Sequence, residues 1–112
     1  MNQVKELLRS HTSVRKYTGE EIPKEVVYDL IETAQMAATS HFVQAYSVIH
    51  VTDPEKKAKL GELSNNDFQF KTAGASFLFC VDFKRLQIAG QKYDIDITAD
   101  SAENVLVGVA DV

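Results

Sequence analysis

The chain lacks several features that would each indicate a particular class of protein. It has no apolar run of the roughly 18 residues that a membrane-spanning helix needs. Met1–Arg9 carries neither an apolar signal core nor an Arg-rich transit pattern. A single cysteine, Cys80, excludes an internal disulfide. We therefore expect a cytoplasmic protein in which Cys80 is a buried thiol rather than a nucleophile.

An excess of positive charge is also lacking. The chain has 12 Lys and Arg against 16 Asp and Glu, a formal net charge of -4. A general nucleic-acid surface needs a basic patch with a strong excess of cations. Arg9, Arg15 and Lys16 form only a local cluster, which suits a small phosphorylated ligand better than a polymer. We expect a small-molecule partner, and neither nucleic acid nor a membrane.

Common motifs of catalytic and metal sites are missing as well. There is no G-x-G-x-x-G, Walker loop, C-x-x-C or G-x-S-x-G. His11, His41 and His50 are scattered without metal-ligand spacing, and the acidic segment 94–103 lacks the glycine and terminal glutamate of a calcium loop. We expect no metal site and a structural role for His50, in or beside a strand.

The residues that are present indicate one mixed α and β domain over residues 1–112. An apolar content of 45% with 25% charged residues is ordinary for a globular chain of this length. Periodicity and capping residues predict helices at 3–10, from Pro23 to about 38, from Pro54 with Asp53 as cap, at 84–91 and from about Asp100 to Val112. Two buried strands are predicted at Tyr46–Val51 and Ser76–Val81.

The last predicted helix carries no stop signal. It contains apolar residues suited to deep burial, and neither a closing glycine, asparagine or proline nor a terminal cation ends it. We therefore expect these residues to be the amino-terminal part of a longer protein. Two strands also make a thin sheet, so we expect further strands from the remainder of the protein or from a partner chain.

Two polar segments could bind a ligand. His11–Tyr17 combines an imidazole, hydroxyls and a guanidinium, which can all donate hydrogen bonds to one phosphate. A solvated basic turn is the alternative. The second segment, Thr39–Gln44, follows the longest predicted helix, and its alternative is an ordinary helix-to-strand connection.

Taken together, these segments resemble the nitroreductase superfamily, and most of all its NADPH-dependent nitroreductase and flavin reductase branch. The Pro23-led helix and the strand that enters Val81–Arg85 share the resemblance, and Glu103–Asp111 is similar to the start of the family's long central helix. The resemblance covers nearly all of the chain. The fold implied is α+β, a mixed sheet flanked by helices, present here as a truncated amino-terminal portion.

The resemblance also implies which residues hold a cofactor, FMN, at the interface of a homodimer. His11, Ser13 and Arg15 would bind its phosphate and ribityl chain, with Thr12 among them where the family more often has a basic residue. The isoalloxazine edge would be approached from the partner subunit by Thr39, Ser40, His41 and Gln44.

A further flavin contact is implied within Asn65–Gln69. The family commonly has a glutamine at this place, whereas Asp67 occupies it in the nearest alignment. A carboxylate near the flavin N1 and O2 would disfavour the anionic reduced flavin. Asn66 and Gln69 are the alternatives.

The activity implied is hydride transfer from NAD(P)H to FMN, followed by reduction of a nitro compound, a quinone or free flavin. The resemblance requires no side chain as a general acid or base. A non-catalytic fragment or dimerisation module is the competing hypothesis, and an FMN-binding protein without turnover is a third.

Overall fold

A computed structural model of the chain describes residues 2–97 and 101–112. None of the helices in this part of the chain is both long and apolar enough to cross a bilayer. The elements are helices α1 (Gln3–Ser10), α2 (Lys24–Ala34), α3 (Pro54–Ser64), α4 (Asp67–Thr72), α5 (Lys84–Lys92) and α6 (Ala102–Asp111), strands β1 (Tyr46–His50) and β2 (Phe77–Val81), and a 3-10 turn at Ser40–Phe42. Helices and strands together give the α+β class that the sequence predicts.

The described residues group into two units. The first holds the residues up to Glu21 together with Asp53–Gly74, and therefore α1, α3 and α4. The second holds the described residues of Ile22–Thr52 and Ala75–Val112, with α2, both strands, α5 and α6.

Capping residues begin two helices of the first unit, α1 and α3. The Asn2 side chain accepts a hydrogen bond from the Val4 amide at 2.8 Å at the start of α1. Asp53 accepts from the amides of Glu55 at 2.8 Å and Lys56 at 3.3 Å. These bonds satisfy amides that have no partner within the helix, so the predicted cap of α3 is confirmed.

Helix α4 was not predicted, because Asn65, Asn66 and Asp67 indicated only a turn. Asn65 does take a left-handed conformation, with φ 56°, and its amide and that of Asn66 donate to carbonyls in the last turn of α3. The chain then enters a new helix of 6 residues. Such a segment is too short to display a helical period.

A two-stranded antiparallel sheet lies in the second unit. The register runs from Tyr46 opposite Val81 to His50 opposite Phe77. The rings of His50 and Phe77 stack with centroids 4.9 Å apart. Both strands thus lie where the sequence predicts them, each shorter by one residue at an end, and the structural role of His50 is confirmed.

The predicted burial of these elements was wrong for the chain as described. Phe79 of β2 is 52% exposed, and Cys80 is half-buried rather than buried. The last helix was expected to be deeply buried, yet Leu106 is 72% exposed. Apolar residues at regular spacing favour burial of one face of an element. That face is buried only where another element packs against it.

Two predicted helix bounds also differ. Helix α2 ends at Ala34 rather than near 38, because its last turn tightens: the Met36 amide donates to the Thr33 carbonyl at 3.1 Å. Pro23 is the residue before α2 rather than in its first turn. The predicted start of the last helix, Asp100, lies outside the described residues, and Ser101 caps α6 by accepting from the Asn104 amide at 3.2 Å.

Gly108 brings α6 close to β2. A Cβ added there would lie 2.4 Å from the Val81 Cγ1 and 3.2 Å from the Phe83 ring. Valine is stiff at χ1, so we expect Gly108→Ala to lower the free energy of unfolding by about 1–2 kcal/mol, although alanine favours the helix. Denaturant unfolding measures this. The loss should shrink in a Val81→Ala background, and an equal loss in both backgrounds would contradict the close approach.

Candidate functional site

The segment that follows α1 is extended and exposed to solvent. The His11 amide donates to the Leu8 carbonyl at 3.4 Å, and the Tyr17 hydroxyl donates to the Val14 carbonyl at 3.1 Å. Both ends of the segment are therefore tied to the local backbone. Within the described part of the chain, no hydrogen bond or ion pair involves the side chains predicted to bind phosphate, those of His11, Thr12, Ser13 and Arg15.

These side chains form a donor set suited to a phosphate. Arg15 can offer two parallel N–H donors, and Ser13 adds a hydroxyl two residues earlier. His11–Tyr17 contains no carboxylate that would compete for the guanidinium. The chemistry of the donors therefore fits the phosphate end of FMN.

The second predicted segment lies in a strained loop between α2 and β1. Three of its residues have φ in the left-handed region without being glycine: His41 at 52°, Phe42 at 53° and Gln44 at 51°. Each such residue costs about 1–3 kcal/mol, and such residues cluster at functional sites. We call Thr39–Gln44 the strained loop.

Hydrogen bonds inside the strained loop maintain its shape. The Thr39 hydroxyl accepts from the Gln44 amide at 3.1 Å, and the Thr39 carbonyl accepts from the Phe42 amide at 3.0 Å. The Ser40 hydroxyl lies 3.3 Å from the His41 Nδ1. The Thr39 hydroxyl thus accepts a hydrogen bond from within the loop, and its hydrogen can still be donated.

Two side chains distant in sequence also hold the strained loop. An Asp111 carboxylate oxygen accepts from the Ser40 amide at 3.0 Å, and the Arg85 guanidinium donates to the Gln44 carbonyl. Sequence reasoning missed both residues. A signal was available for Arg85, because the helix dipole disfavours a cation in the first turn of α5.

The place predicted for a third flavin contact lies at the start of α4. Asp67 is exposed in the first turn, where the helix dipole favours a carboxylate. The Asn66 side-chain amide donates to the Ser64 carbonyl at 2.8 Å, and Gln69 is half-buried. Asp67 and Asn66 are both exposed, whereas Gln69 is not. The Asp67 side chain makes no hydrogen bond within the described residues, unlike that of Asn66.

The predicted residues divide between the two units. His11, Thr12, Ser13, Arg15 and Asp67 belong to the first unit. Thr39, Ser40, His41 and Gln44 are contiguous in the second.

A cavity of about 290 Å³ in the second unit does not coincide with these residues. It is lined by parts of α2 and β1 together with Phe79 and Arg85, and none of the predicted flavin contacts borders it. Among residues 2–97 and 101–112, no three His, Cys, Asp or Glu side chains are grouped so as to hold a metal ion.

Asp82, at the end of β2, has an altered acidity. The Ser47 hydroxyl donates to its carboxylate, and the backbone amides of Lys84 and Arg85 and the charge of Arg85 add to this, so the pKa of Asp82 lies below its ordinary 3.8. The ionised form is thus favoured by folding. Its contribution to stability is complete above pH 3.8 and is lost as pH falls from there through the lowered folded value.

We therefore expect Asp82→Asn to flatten the dependence of stability on pH below pH 3.8. Urea unfolding of wild type and variant across the acid range measures this. An acid-dependent loss of the same size in the variant would show that Asp82 does not cause it. Asp53→Asn, which alters a cap of α3, is the matched carboxylate-to-amide control.

Comparisons with known proteins agree with the fold and the motifs. The Nitroreductase family model matches residues 8–104. A Cr(VI) reductase of Pseudomonas sp. strain G-1 is 71% identical over 109 residues, which are 97% of this chain and 45% of that protein. An FMN reductase (NADPH) of Bacillus subtilis strain 168 is 36% identical over 113 residues, 99% of this chain and 45% of that protein.

Solved structures give the same result. The NADPH:FMN oxidoreductase from Vibrio harveyi complexed with NAD+ superposes with a TM-score of 0.89 at 30% identity, over 98% of this chain and 46% of that one. The chain thus spans less than half the length of the relatives it matches. Because the family model covers most of its residues, the chain belongs to the nitroreductase family.

Proposed function

We propose that this protein is an FMN-dependent NAD(P)H oxidoreductase that reduces small-molecule acceptors such as nitro compounds, quinones or free flavin. The observation that carries the proposal is the exposed donor set of His11, Ser13 and Arg15 in a chain of the nitroreductase family. The names of its relatives, FMN reductase (NADPH) and NADPH:FMN oxidoreductase, support the cofactor and the electron donor.

In the proposed reaction, the residues of this chain bind FMN and orient it. Arg15 holds the phosphate by a bidentate pair, and Ser13 and His11 add neutral or charged donors. The flavin edge would be approached from the partner subunit by Thr39, Ser40, His41 and Gln44, because small hydroxyls can bond to ring atoms without crowding the ring. FMN, when bound, supplies the chemistry by accepting a hydride from the nicotinamide and passing electrons to the acceptor.

Chromate is a further acceptor to test, because the relative that is 71% identical is named Cr(VI) reductase. The experiment is to load the full-length protein with FMN and follow NADPH oxidation with a quinone, a nitroaromatic compound or chromate as acceptor. We expect acceptor-dependent oxidation. FMN uptake without NADPH oxidation would indicate a flavin carrier, and no uptake would indicate the non-catalytic module.

The proposal includes a homodimer with a shared flavin site. Val105, Leu106 and Val109 on α6 are all more than half exposed, and such apolar surface favours association. Sedimentation of the full-length protein should give twice the mass of one chain. A monomer that still binds FMN would contradict the shared site.

A further inference from the structure

We infer that Arg85 and Asp111 are positioning residues, which fix the strained loop from its two ends and thereby hold the flavin edge in place. The inference rests on the proposed function for its consequence. Its structural part rests only on contacts within the second unit.

The two contacts hold the strained loop at opposite ends. Asp111 binds the amide of Ser40, just before the first left-handed residue, and Arg85 binds the carbonyl of Gln44, the last one. Left-handed residues other than glycine persist only where the surroundings determine them. Backbone bonds from Phe42 to Thr39, from Val43 to Ser40 and from Tyr46 to Gln44 close the loop locally. The two side chains from outside the loop add restraint at both of its ends.

The location of Arg85 supports a role beyond helix stability. A cation in the first turn of α5 opposes the helix dipole. A side chain that breaks a local rule and contacts the strained loop is typical of a functional site.

Asp82 anchors the start of α5, the helix that carries Arg85. Its carboxylate accepts from the Ser47 hydroxyl on β1 and from the Lys84 amide at 2.9 Å at the start of α5. The carboxylate thereby ties the start of α5, which carries Arg85, to the strand that follows the strained loop. Arg85 is therefore anchored where it can reach the Gln44 carbonyl.

The test uses Arg85→Ala, Asp111→Ala and the conservative Asp111→Asn, which keeps a carbonyl oxygen for the Ser40 amide. Lys84→Ala is the matched control, because it removes an exposed cation next to Arg85 and leaves its own backbone amide bond to Asp82 in place. All are made in the full-length protein, and far-UV circular dichroism and thermal unfolding verify that each variant folds.

Two readouts separate the inference from the proposed function. In flavin-free protein, hydrogen exchange of peptides covering residues 39–46 should be at least about tenfold faster in both alanine variants, and close to wild type in Asp111→Asn and Lys84→Ala. In a fluorescence titration with FMN, the alanine variants should bind about tenfold more weakly and change the visible circular dichroism of bound FMN.

Unchanged exchange in both alanine variants would overturn the inference, whatever the flavin result. Faster exchange with wild-type FMN affinity would overturn it as well, because the loop would then have no consequence for the flavin. Wild-type protein that fails to bind FMN would contradict the proposed function and remove the flavin part of the inference, while the exchange data would still judge the loop contacts.

Discussion

Replacing Arg15 with alanine is expected to weaken FMN binding roughly 10- to 100-fold. Hydrogen bonds to a charged group contribute about 1.5–3 kcal/mol, and every 1.4 kcal/mol is a factor of about ten in the dissociation constant. Arg15 is exposed and has no described competitor for its guanidinium, so its donors are available to the phosphate. Fluorescence quenching of FMN during titration of the flavin-free protein measures the effect.

Two variants make the Arg15 result specific. Arg15→Lys keeps the charge but loses the planar fork, so it should fall between wild type and alanine. Lys5→Ala removes one cation from exposed α1 and should bind FMN as wild type does. Equal weakening in Lys5→Ala and Arg15→Ala would mean that net charge alone attracts the ligand. Wild-type affinity in Arg15→Ala would contradict the phosphate site.

Asp67→Asn is expected to raise the two-electron midpoint potential of bound FMN by about 30 mV or more. A carboxylate near the ring opposes the negative charge that reduction creates, so its removal favours the reduced form. A change of 30 mV corresponds to about 1.4 kcal/mol for a two-electron couple. Potentiometric titration of the FMN-loaded protein measures the shift.

The control for Asp67 is Glu62→Gln, a carboxylate-to-amide change in the same unit. Glu62 is exposed on α3 and pairs with Lys59 at 2.8 Å. Its variant should leave the midpoint potential at the wild-type value. An unchanged potential in Asp67→Asn would place Asp67 away from the ring and make Asn66 or Gln69 the flavin contact.

The sequence predicted the elements with strong local signals. Asp53 with Pro54 marks the start of α3, and the apolar runs around Val48 and Phe79 mark the strands, because caps and periodicity act through near neighbours. Helix α4 was not predicted, because a helix of 6 residues is too short to show a helical repeat of apolar residues. The burial of Phe79 and Leu106 was predicted wrongly, because burial depends on tertiary neighbours that a local sequence pattern does not identify.

The candidate site was predictable only in part. The donors at His11–Arg15 follow from residue chemistry, and the structure leaves their side chains exposed. The left-handed backbone at His41 and Gln44 could not be predicted, since neither residue favours it as glycine would. The charge of Arg85 at the start of α5 is a local signal, but the partners of Arg85 and Asp111 lie 41 and 71 positions away, and no local pattern identifies them.

The most direct test of the account is the visible absorption spectrum of the full-length protein, purified and then exposed to added FMN. We expect a yellow protein whose flavin absorption remains after gel filtration. A folded, colourless protein that does not retain added FMN would contradict the flavin site on which the proposed function depends.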